Sequence, residues 1–339
     1  MKAIIPVRHA PGAAVDLIEQ EVPDPVITAH DLLVRPLATA SNPVDYKVKD
    51  SIEPGQAPRV LGWDAVGEVL GCGAAVVGFR PGDLVWYAGD INRPGAYAEL
   101  QVVDYRIAAS APSKLDPTDA ASLPLTMLTA WELLFERFRV PHGVLPAPGT
   151  LLIVGGAGGV GSALIQVAQA LSKLKVIATA SRPESVHWVR ELGADHVLDF
   201  ARSWPEQLRA MGVPHVDYIA SLTASEEHLL SAAQVIKPFG SYGLIDDPKS
   251  LDITVFKRKS VSIHWELMFT KTLFEGEDLS SQGQILRRVS ELVDLGQIRS
   301  TRLGSVLELS ASSLQQSLDS HQRGASRGKQ VFSRPQHWR

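Results

Sequence analysis

Three glycines with a fixed spacing point most directly to a chemical role in this sequence. Gly156, Gly158 and Gly161 form a G-x-G-x-x-G pattern, which in dinucleotide-binding proteins joins a strand to a helix. The first glycine permits the tight turn, the second lets the backbone approach a pyrophosphate, and the third lets helix and strand pack closely. The helix N-terminus then offers N–H groups to the phosphates. We therefore predict dinucleotide binding by the turn residues Gly156, Ala157, Gly158, Gly159, Val160 and Gly161.

The residues after the next predicted strand indicate which dinucleotide is bound. An NAD site usually has an Asp or Glu there, which accepts a hydrogen bond from the ribose 2′-hydroxyl. This chain has Ser181 and Arg182 instead, and a hydroxyl and a guanidinium can bind a 2′-phosphate. An alternative is that Ser181 caps the helix that begins near Pro183, and the two roles are compatible. The sequence favours NADPH.

The elements that must position these residues alternate between strand and helix. The apolar run Leu151–Val154 precedes the glycine turn, and an amphipathic helix over Val160–Leu171 follows it. Further strands and helices alternate as far as Glu266, which is typical of a doubly wound parallel sheet. The predicted strands are Val176–Thr179, His196–Leu198, Val216–Ala220 and Tyr242–Ile245, and the predicted helices are Glu184–Leu192, Trp204–Met211 and Leu229–Ile236.

The residues before Asp116 have a different pattern, with short predicted strands separated by turn dipeptides such as Pro54-Gly55 and Pro81-Gly82. This spacing predicts a compact, barrel-like β domain. Helices are expected over Leu125–Phe138, Ile285–Leu295 and Ser312–His321, and a last strand over Gln330–Phe332. The five early strands are Lys2–Val7, Leu32–Leu37, Ala65–Leu70, Asp83–Tyr87 and Tyr97–Val103.

The composition excludes several classes of protein. A net charge of −4 over 339 residues gives no reason to expect nucleic acid or an anionic membrane as a partner. A single cysteine, Cys72, excludes an intrachain disulfide and favours a reducing compartment. The N-terminus lacks the pattern of a signal peptide, and no apolar run is long enough to span a membrane. We expect a cytoplasmic protein.

Several motifs, in their order along the chain, resemble the medium-chain dehydrogenase/reductase superfamily. The resemblance is to its zinc-free, quinone-oxidoreductase-like branch and to "zinc-type alcohol dehydrogenase-like" proteins, and it covers essentially the whole chain. The motifs are Ser41–Asp45, Leu61–Gly67, Gly82–Val85, Leu123–Trp131, the glycine turn, Thr179–Glu184, Leu244–Pro248 and His264–Phe269.

This resemblance implies an α/β fold with two domains. A GroES-like β-barrel domain would comprise residues 1–124 and 267–339, and a Rossmann domain with a doubly wound parallel sheet would comprise residues 125–266. The nicotinamide would lie in the cleft between the two domains. Homodimers are common in such families, so a homodimer is expected.

The chain departs from the zinc alcohol dehydrogenases at the positions where these carry metal ligands. Asn42 stands where they have a ligand cysteine, and Trp63-Asp64 stands where they have a His-Glu pair. Their structural zinc needs four closely spaced cysteines, and Cys72 is alone here. We predict no metal.

The resemblance also implies a set of residues around the nicotinamide and the substrate. Asn42, Asp45 and Thr129 would line the site, and Lys329 would reach a cofactor phosphate. Tyr46 and Lys47, next to Asp45, are the nearby groups able to donate to a developing oxyanion. The sequence leaves open which of these two faces the substrate. Ile245, at the end of a predicted strand, would pass its backbone near the nicotinamide.

Each of these residues also has a structural interpretation. Asn42 and Asp45 can hold a turn beside Pro43. Thr129 can bond back to its own helix, and Tyr46 and Lys329 can be ordinary surface residues.

The predicted function is hydride transfer from NADPH to a quinone or an α,β-unsaturated carbonyl. A metal normally polarises a simple carbonyl, whereas these acceptors delocalise the product anion themselves. Two alternatives stay open: reduction of an enoyl thioester, and a sensor protein that binds NADPH with little turnover.

Overall fold

A computed structural model describes residues 1–57, 59–141, 148–274 and 278–338. The chain forms two compact units. Unit 1 comprises Met1–Leu125 and Phe269–Arg339, and unit 2 comprises Thr126–Met268.

The elements of the described residues are as follows. The strands are β1 (Lys2–Arg8), β2 (Val15–Glu21), β3 (Asp31–Ala40), β4 (Ala65–Cys72), β5 (Leu84–Tyr87), β6 (Gln101–Asp104), β7 (Ala109–Ser110), β8 (Pro148–Val154), β9 (Lys173–Thr179), β10 (His196–Leu198), β11 (Val216–Ser221), β12 (Ile236–Leu244), β13 (Ser262–Trp265), β14 (Leu307–Glu308) and β15 (Val331–Ser333). The α-helices are α1 (Pro43–Asp50), α2 (Pro117–Ala120), α3 (Pro124–Trp131), α4 (Gly159–Leu171), α5 (Pro183–Glu191), α6 (Trp204–Ala210), α7 (Ser225–Val235), α8 (Thr270–Leu273), α9 (Ser281–Asp294) and α10 (Ala311–Gln322). One 3₁₀ segment covers Tyr105–Ile107 and another covers Ile253–Lys259. A π-helical segment follows α3 over Glu132–Arg137.

Unit 1 is built on a seven-stranded sheet with the order β14-β15-β3-β4-β5-β7, in which β6 also pairs with β3. The central strand β3 pairs antiparallel with β4, β6 and β15. Buried side chains such as Leu32, Val34, Val69 and Val85 form its core. The predicted β-rich first domain is confirmed, and β15 pairs with β3 although some 290 residues separate them along the chain.

Helix α1 is the main feature of unit 1 that sequence reasoning did not predict. Its residues are polar and have weak apolar periodicity, so the pattern indicated only a turn. Pro43 occupies the first helical turn, where its missing N–H costs nothing. The carboxylate of Asp45 accepts the backbone N–H of Asn42 at 2.6 Å, which satisfies a donor before the helix.

Unit 2 contains a six-stranded parallel sheet with the order β10-β9-β8-β11-β12-β13. The strand order reverses at β8, as in doubly wound dinucleotide-binding sheets. Leu152, Ile177, Ile219 and Leu244 from four adjacent strands are buried in its core. The predicted parallel sheet is confirmed, but the short edge strand β13 was missed.

The helix predicted over Leu125–Phe138 changes type within that range. The α-helical part ends at Trp131, and the next turn is π-helical, with the N–H of Phe138 donating to the carbonyl of Leu133. Among the described residues, no helix has the length and apolar character needed to cross a membrane.

Candidate functional site

The glycine turn joins β8 to α4 and is closely packed at two of its three motif glycines. A Cβ added at Gly156 would lie 2.7 Å from the Cβ of Ala178, and one added at Gly161 would lie 2.7 Å from the carbonyl carbon of Gly156. Any side chain at either position would therefore push α4 away from the sheet. Packing alone is enough to explain why Gly156 and Gly161 are glycines.

Gly158 differs from the other two motif glycines. A Cβ there would meet only the carbonyl oxygen of Gly155, at 3.4 Å. Gly158 has extended backbone angles and is the N-cap of α4, so the first N–H groups of this helix have no carbonyl partners within it. The middle glycine is thus less crowded than the other two, and it lies where backbone donors and the positive end of the helix dipole would favour an anion.

The turn is tied to the neighbouring strand β9, whose end carries the residues predicted to select the cofactor. The N–H of Gly155 donates to Oγ1 of Thr179 at 2.9 Å. Ser181 and Arg182 follow and are exposed. Arg182, rather than Ser181, is the N-cap of α5, so the alternative of Ser181 as the helix cap is not what the structure shows.

The environment of Arg182 contains one opposing charge. Its Nε lies 3.9 Å from the carboxylate of Glu184, and both side chains are about half exposed. Exposed pairs at this distance contribute little to stability. The guanidinium is therefore available to an incoming anion.

In unit 1, the structure brings together three of the predicted residues, Asn42, Asp45 and Lys329. Asp45 is fully buried, and its carboxylate accepts from the N–H groups of Asn42 and Gly62 and from the hydroxyl of Tyr97, at 2.6, 3.1 and 3.1 Å. Burial raises the pKa of Asp45 to about 7, although these hydrogen bonds and the charge of Lys329 oppose the shift.

Lys329 lies beside the same group, two residues before β15. Its ammonium donates to the carbonyl of Ser41 at 2.9 Å, to Oδ1 of Asn42 and to Oδ2 of Asp64 at 2.8 Å. The side chain is 2% exposed and Asp64 is fully buried. An ammonium has three N–H donors, so these protein oxygens can engage all of them.

The other predicted residues are distributed over both units. On α1, Tyr46 is half-buried and Lys47 is exposed. Thr129 is buried on α3, and Ile245 is half-buried directly after β12. In unit 2, the glycine turn, Ser181–Arg182 and Ile245 all follow the carboxyl ends of parallel strands, where doubly wound sheets bind ligands.

Sequence reasoning did not assign roles to Asp64 and Tyr97, which complete the buried group of unit 1. Asp64 accepts the N–H of Leu125 at 2.7 Å and the side-chain amide of Asn42 at 2.8 Å. A signal was present in the sequence, because Asp64 is a lone carboxylate in the apolar run from Val60 to Val66. A charged residue in such a run is buried only with a partner.

A second buried acidic group lies in unit 2 and was also missed. Glu132 begins the π-helical segment, and Glu266 follows β13; both are buried. Nε of Arg137 lies 2.8 Å from Oε2 of Glu266. The pKa of Glu266 is raised strongly, first by burial and then by the nearby carboxyl of Glu132, against the effect of Arg137.

Two known families match the two parts of the chain. Residues 28–113 match the GroES-like domain of alcohol dehydrogenases, and residues 159–278 match the zinc-binding dehydrogenases. Both parts of the predicted architecture, the GroES-like domain and the Rossmann sheet, are thereby confirmed.

Individual proteins are similar to this chain over nearly its whole length or over about half of it. A zinc-type alcohol dehydrogenase-like protein of Staphylococcus aureus is 34% identical over 330 residues, which is 97% of each chain. A 2-methylene-furan-3-one reductase of Solanum lycopersicum is 33% identical over 202 residues, 56% of this chain and 50% of the reductase. A crystal structure of a Rhizobium etli protein, assigned to the zinc-dependent alcohol dehydrogenases, is 45% identical, covers 98% of both chains and has a TM-score of 0.93.

Proposed function

The chain belongs to the medium-chain dehydrogenase/reductase superfamily of nicotinamide-dependent oxidoreductases, and on this premise we propose that it transfers a hydride from NADPH to a quinone or an α,β-unsaturated carbonyl without a metal. The observation that carries this proposal is the contrast within the glycine turn. Gly156 and Gly161 have no room for a side chain, whereas Gly158 is less crowded and lies at the N-terminus of α4. NADPH, when bound, supplies the hydride.

The residues after β9 support NADPH over NADH. No carboxylate stands at positions 180–182, and the exposed hydroxyl of Ser181 and guanidinium of Arg182 suit a dianionic 2′-phosphate. Glu184 competes for Arg182 only weakly, since the two side chains are 3.9 Å apart and half exposed.

The buried group of unit 1 supports this class of acceptor. Lys329 is buried among the predicted substrate-site residues, and its three donors are directed at Ser41, Asn42 and Asp64. This arrangement leaves its ammonium without a donor for a substrate carbonyl. An isolated carbonyl would therefore depend on Tyr46 or Lys47 for a donor, whereas a quinone or an enone spreads the charge of the reduced product over its own atoms. The similarity to a 2-methylene-furan-3-one reductase supports the same class.

The proposal is tested by rapid mixing of protein, reduced cofactor and a panel of acceptors. We expect NADPH absorbance to decay with a benzoquinone and with a conjugated enone, and to persist with a saturated aldehyde of similar size. Decay with an enoyl thioester alone would replace the proposal with thioester reduction. NADPH binding without oxidation by any acceptor would indicate a sensor, and preference for the saturated aldehyde would contradict the proposal.

The cofactor is tested with Arg182→Ala, and Arg190→Ala is the matched control because it removes the same charge from the other end of α5. Losing a charged hydrogen bond costs about 1.5–3 kcal/mol, so NADPH affinity should fall roughly 10- to 100-fold. NADH affinity should stay unchanged in both variants. An equal loss for both cofactors would contradict the assignment of the 2′-phosphate.

A further inference from the structure

Three oxygen atoms converge on one buried point in unit 1, and we call them the oxygen cage. They are the backbone carbonyl of Ser41, Oδ1 of Asn42 and Oδ2 of Asp64, and the ammonium of Lys329 donates to all three. A carboxylate, an amide oxygen and a carbonyl oxygen around one point attract a cation. In this protein, that cation is the ammonium of Lys329.

The cage is held in place by contacts that do not involve the lysine. Oδ1 of Asp64 accepts the N–H of Leu125 at 2.7 Å, and Oδ2 accepts the side-chain amide of Asn42 at 2.8 Å. The second bond also fixes the amide of Asn42 with its oxygen directed at the cage. Two of the three oxygens, those of Asp64 and Asn42, are therefore oriented by contacts that do not involve the ammonium.

The zinc of the zinc-binding dehydrogenase family does not fit these residues. Protein zinc sites use cysteine sulfur, histidine nitrogen and, beside these, carboxylate oxygen, with at least three protein ligands, whereas the cage has three oxygens and only one of them belongs to a carboxylate. Over the described ranges, no cluster of three or more His, Cys, Asp or Glu side chains is suited to a metal. Cys72 is half-buried and directs its thiol at the carbonyl of Phe79.

We propose that Lys329 is a resident cation, which occupies the oxygen cage in place of a metal ion, and that the emptied cage binds a free primary ammonium ion. The charge balance agrees with this, since the single carboxylate of the cage neutralises the single ammonium. The positive charge of Lys329 also acts on His321, whose Nε2 lies 3.0 Å from Oγ of Ser41. Burial and the positive charge of Lys329 together lower the pKa of His321 to about 4.

The decisive experiment removes the lysine and supplies its missing atoms from solution. Lys329→Ala deletes three methylene groups and the ammonium, which n-propylammonium matches in length and charge. We expect n-propylammonium to raise the Tm of this variant saturably and to leave that of the wild type unchanged. Propanol, which has the shape without the charge, and tetramethylammonium, which has the charge without N–H donors, should both have no effect. An equal rise with either control compound would overturn the proposal.

A second comparison covers the case in which Lys329→Ala does not fold. Lys329→Met leaves Asp64 charged without its cation, whereas the double variant Lys329→Met/Asp64→Asn keeps the volume and removes both charges. We expect the double variant to be the more stable in urea, because an unpaired buried charge costs more than a neutral pair. A double variant no more stable than Lys329→Met would overturn the proposal.

Metal exclusion is measured directly on the wild-type protein. After incubation with zinc chloride and removal of the excess, elemental analysis should find far less than one zinc per chain. One tightly bound zinc per chain, whose removal lowers the Tm, would overturn the proposal. These readouts require neither NADPH nor an acceptor, so their failure is distinguishable from failure of the proposed function.

Discussion

Each unit contains a buried pair of carboxyl groups beside a basic side chain, but the two pairs are stabilised in different ways. In unit 1 they are Asp45 and Asp64 with Lys329, and in unit 2 they are Glu132 and Glu266 with Arg137. Lys329 is 2% exposed, whereas the side chain of Arg137 is 30% exposed. The basic group of unit 2 is therefore partly solvated.

The carboxyl groups also differ in their hydrogen-bond donors. Asp45 and Asp64 accept from backbone N–H groups as well as from side chains. Glu266 has Nε of Arg137 at 2.8 Å and a second carboxyl, Glu132, nearby, and its pKa is raised strongly. Burial raises the pKa of Asp64 as well, but Lys329 and the hydrogen bonds from Leu125 and Asn42 oppose that shift, whereas Glu132 adds to the shift at Glu266. The comparison favours an anion paired with an ammonium at Asp64 and a bound proton at Glu266.

The largest expected effect follows from removing the cation of unit 1. Lys329→Met should lower the free energy of unfolding by about 3–5 kcal/mol, because it leaves a buried carboxylate without its partner. Urea denaturation at neutral pH measures the loss, and Lys47→Met, on the exposed face of α1, is the control and should change it by less than about 0.5 kcal/mol. A loss as small as that of the control would remove the distinction between the two units.

The next effect concerns the pH dependence that Asp45 introduces. Its pKa is raised from 3.8 to about 7 in the folded protein, so its contribution to stability is fully present below pH 4 and is lost as the pH rises through 7. Relative to Asp45→Asn, the wild type should lose on the order of 2–4 kcal/mol between pH 4 and pH 8. Unfolding of both proteins across this range gives the difference, and a constant difference would contradict the raised pKa.

A smaller effect is expected from removing the cation of unit 2. Arg137→Met should cost about 1–3 kcal/mol, less than Lys329→Met, because Glu266 keeps a proton and Arg137 is already partly solvated. Arg139→Met, at an exposed neighbour, is the control. A cost equal to that of Lys329→Met would show that Glu266 is an anion paired with Arg137.

The smallest effect is expected from Glu266→Gln. An amide replaces a protonated carboxyl with little change in shape, so stability at pH 4, where the carboxyl is neutral in the folded and the unfolded chain, should change by about 1 kcal/mol or less. Because the pKa of Glu266 is raised from 4.5 to about 9 in the folded protein, the wild type loses stability as the pH rises between these values, and the variant should gain relative to the wild type over the same range. Thermal unfolding at pH 4, at neutral pH and at pH 9 measures both, and a large loss at pH 4 would contradict the bound proton.

The parts of the fold that were predictable from sequence depend on local patterns. The glycine turn and the alternation of strands and helices are visible within short windows, because glycine spacing and apolar periodicity report local geometry. Helix α1 and strands β2 and β13 are among the elements that were missed. Helix α1 has little apolar periodicity, β2 is mostly exposed in a two-stranded sheet with β1, and β13 is short and lies at a sheet edge.

The buried groups were not predictable in the same way. Lys329 and Asp64 are 265 positions apart and meet only through the pairing of β15 with β3. The sequence identified Lys329 as a candidate for a cofactor phosphate, but its partners depend on tertiary structure. Asp64 was visible only as a charge in an apolar run, which indicates that a partner exists without indicating which residue it is.

The packing around Gly161 has a consequence for protein engineering. Because a side chain there would collide with the backbone of Gly156, libraries that aim to change the coenzyme preference should keep the motif glycines fixed. Ser181 and Arg182 are solvent-facing, so they can be randomised without repacking the interior. In the proposed site, coenzyme choice therefore depends on exposed residues that tolerate change, whereas phosphate binding depends on closely packed glycines that do not.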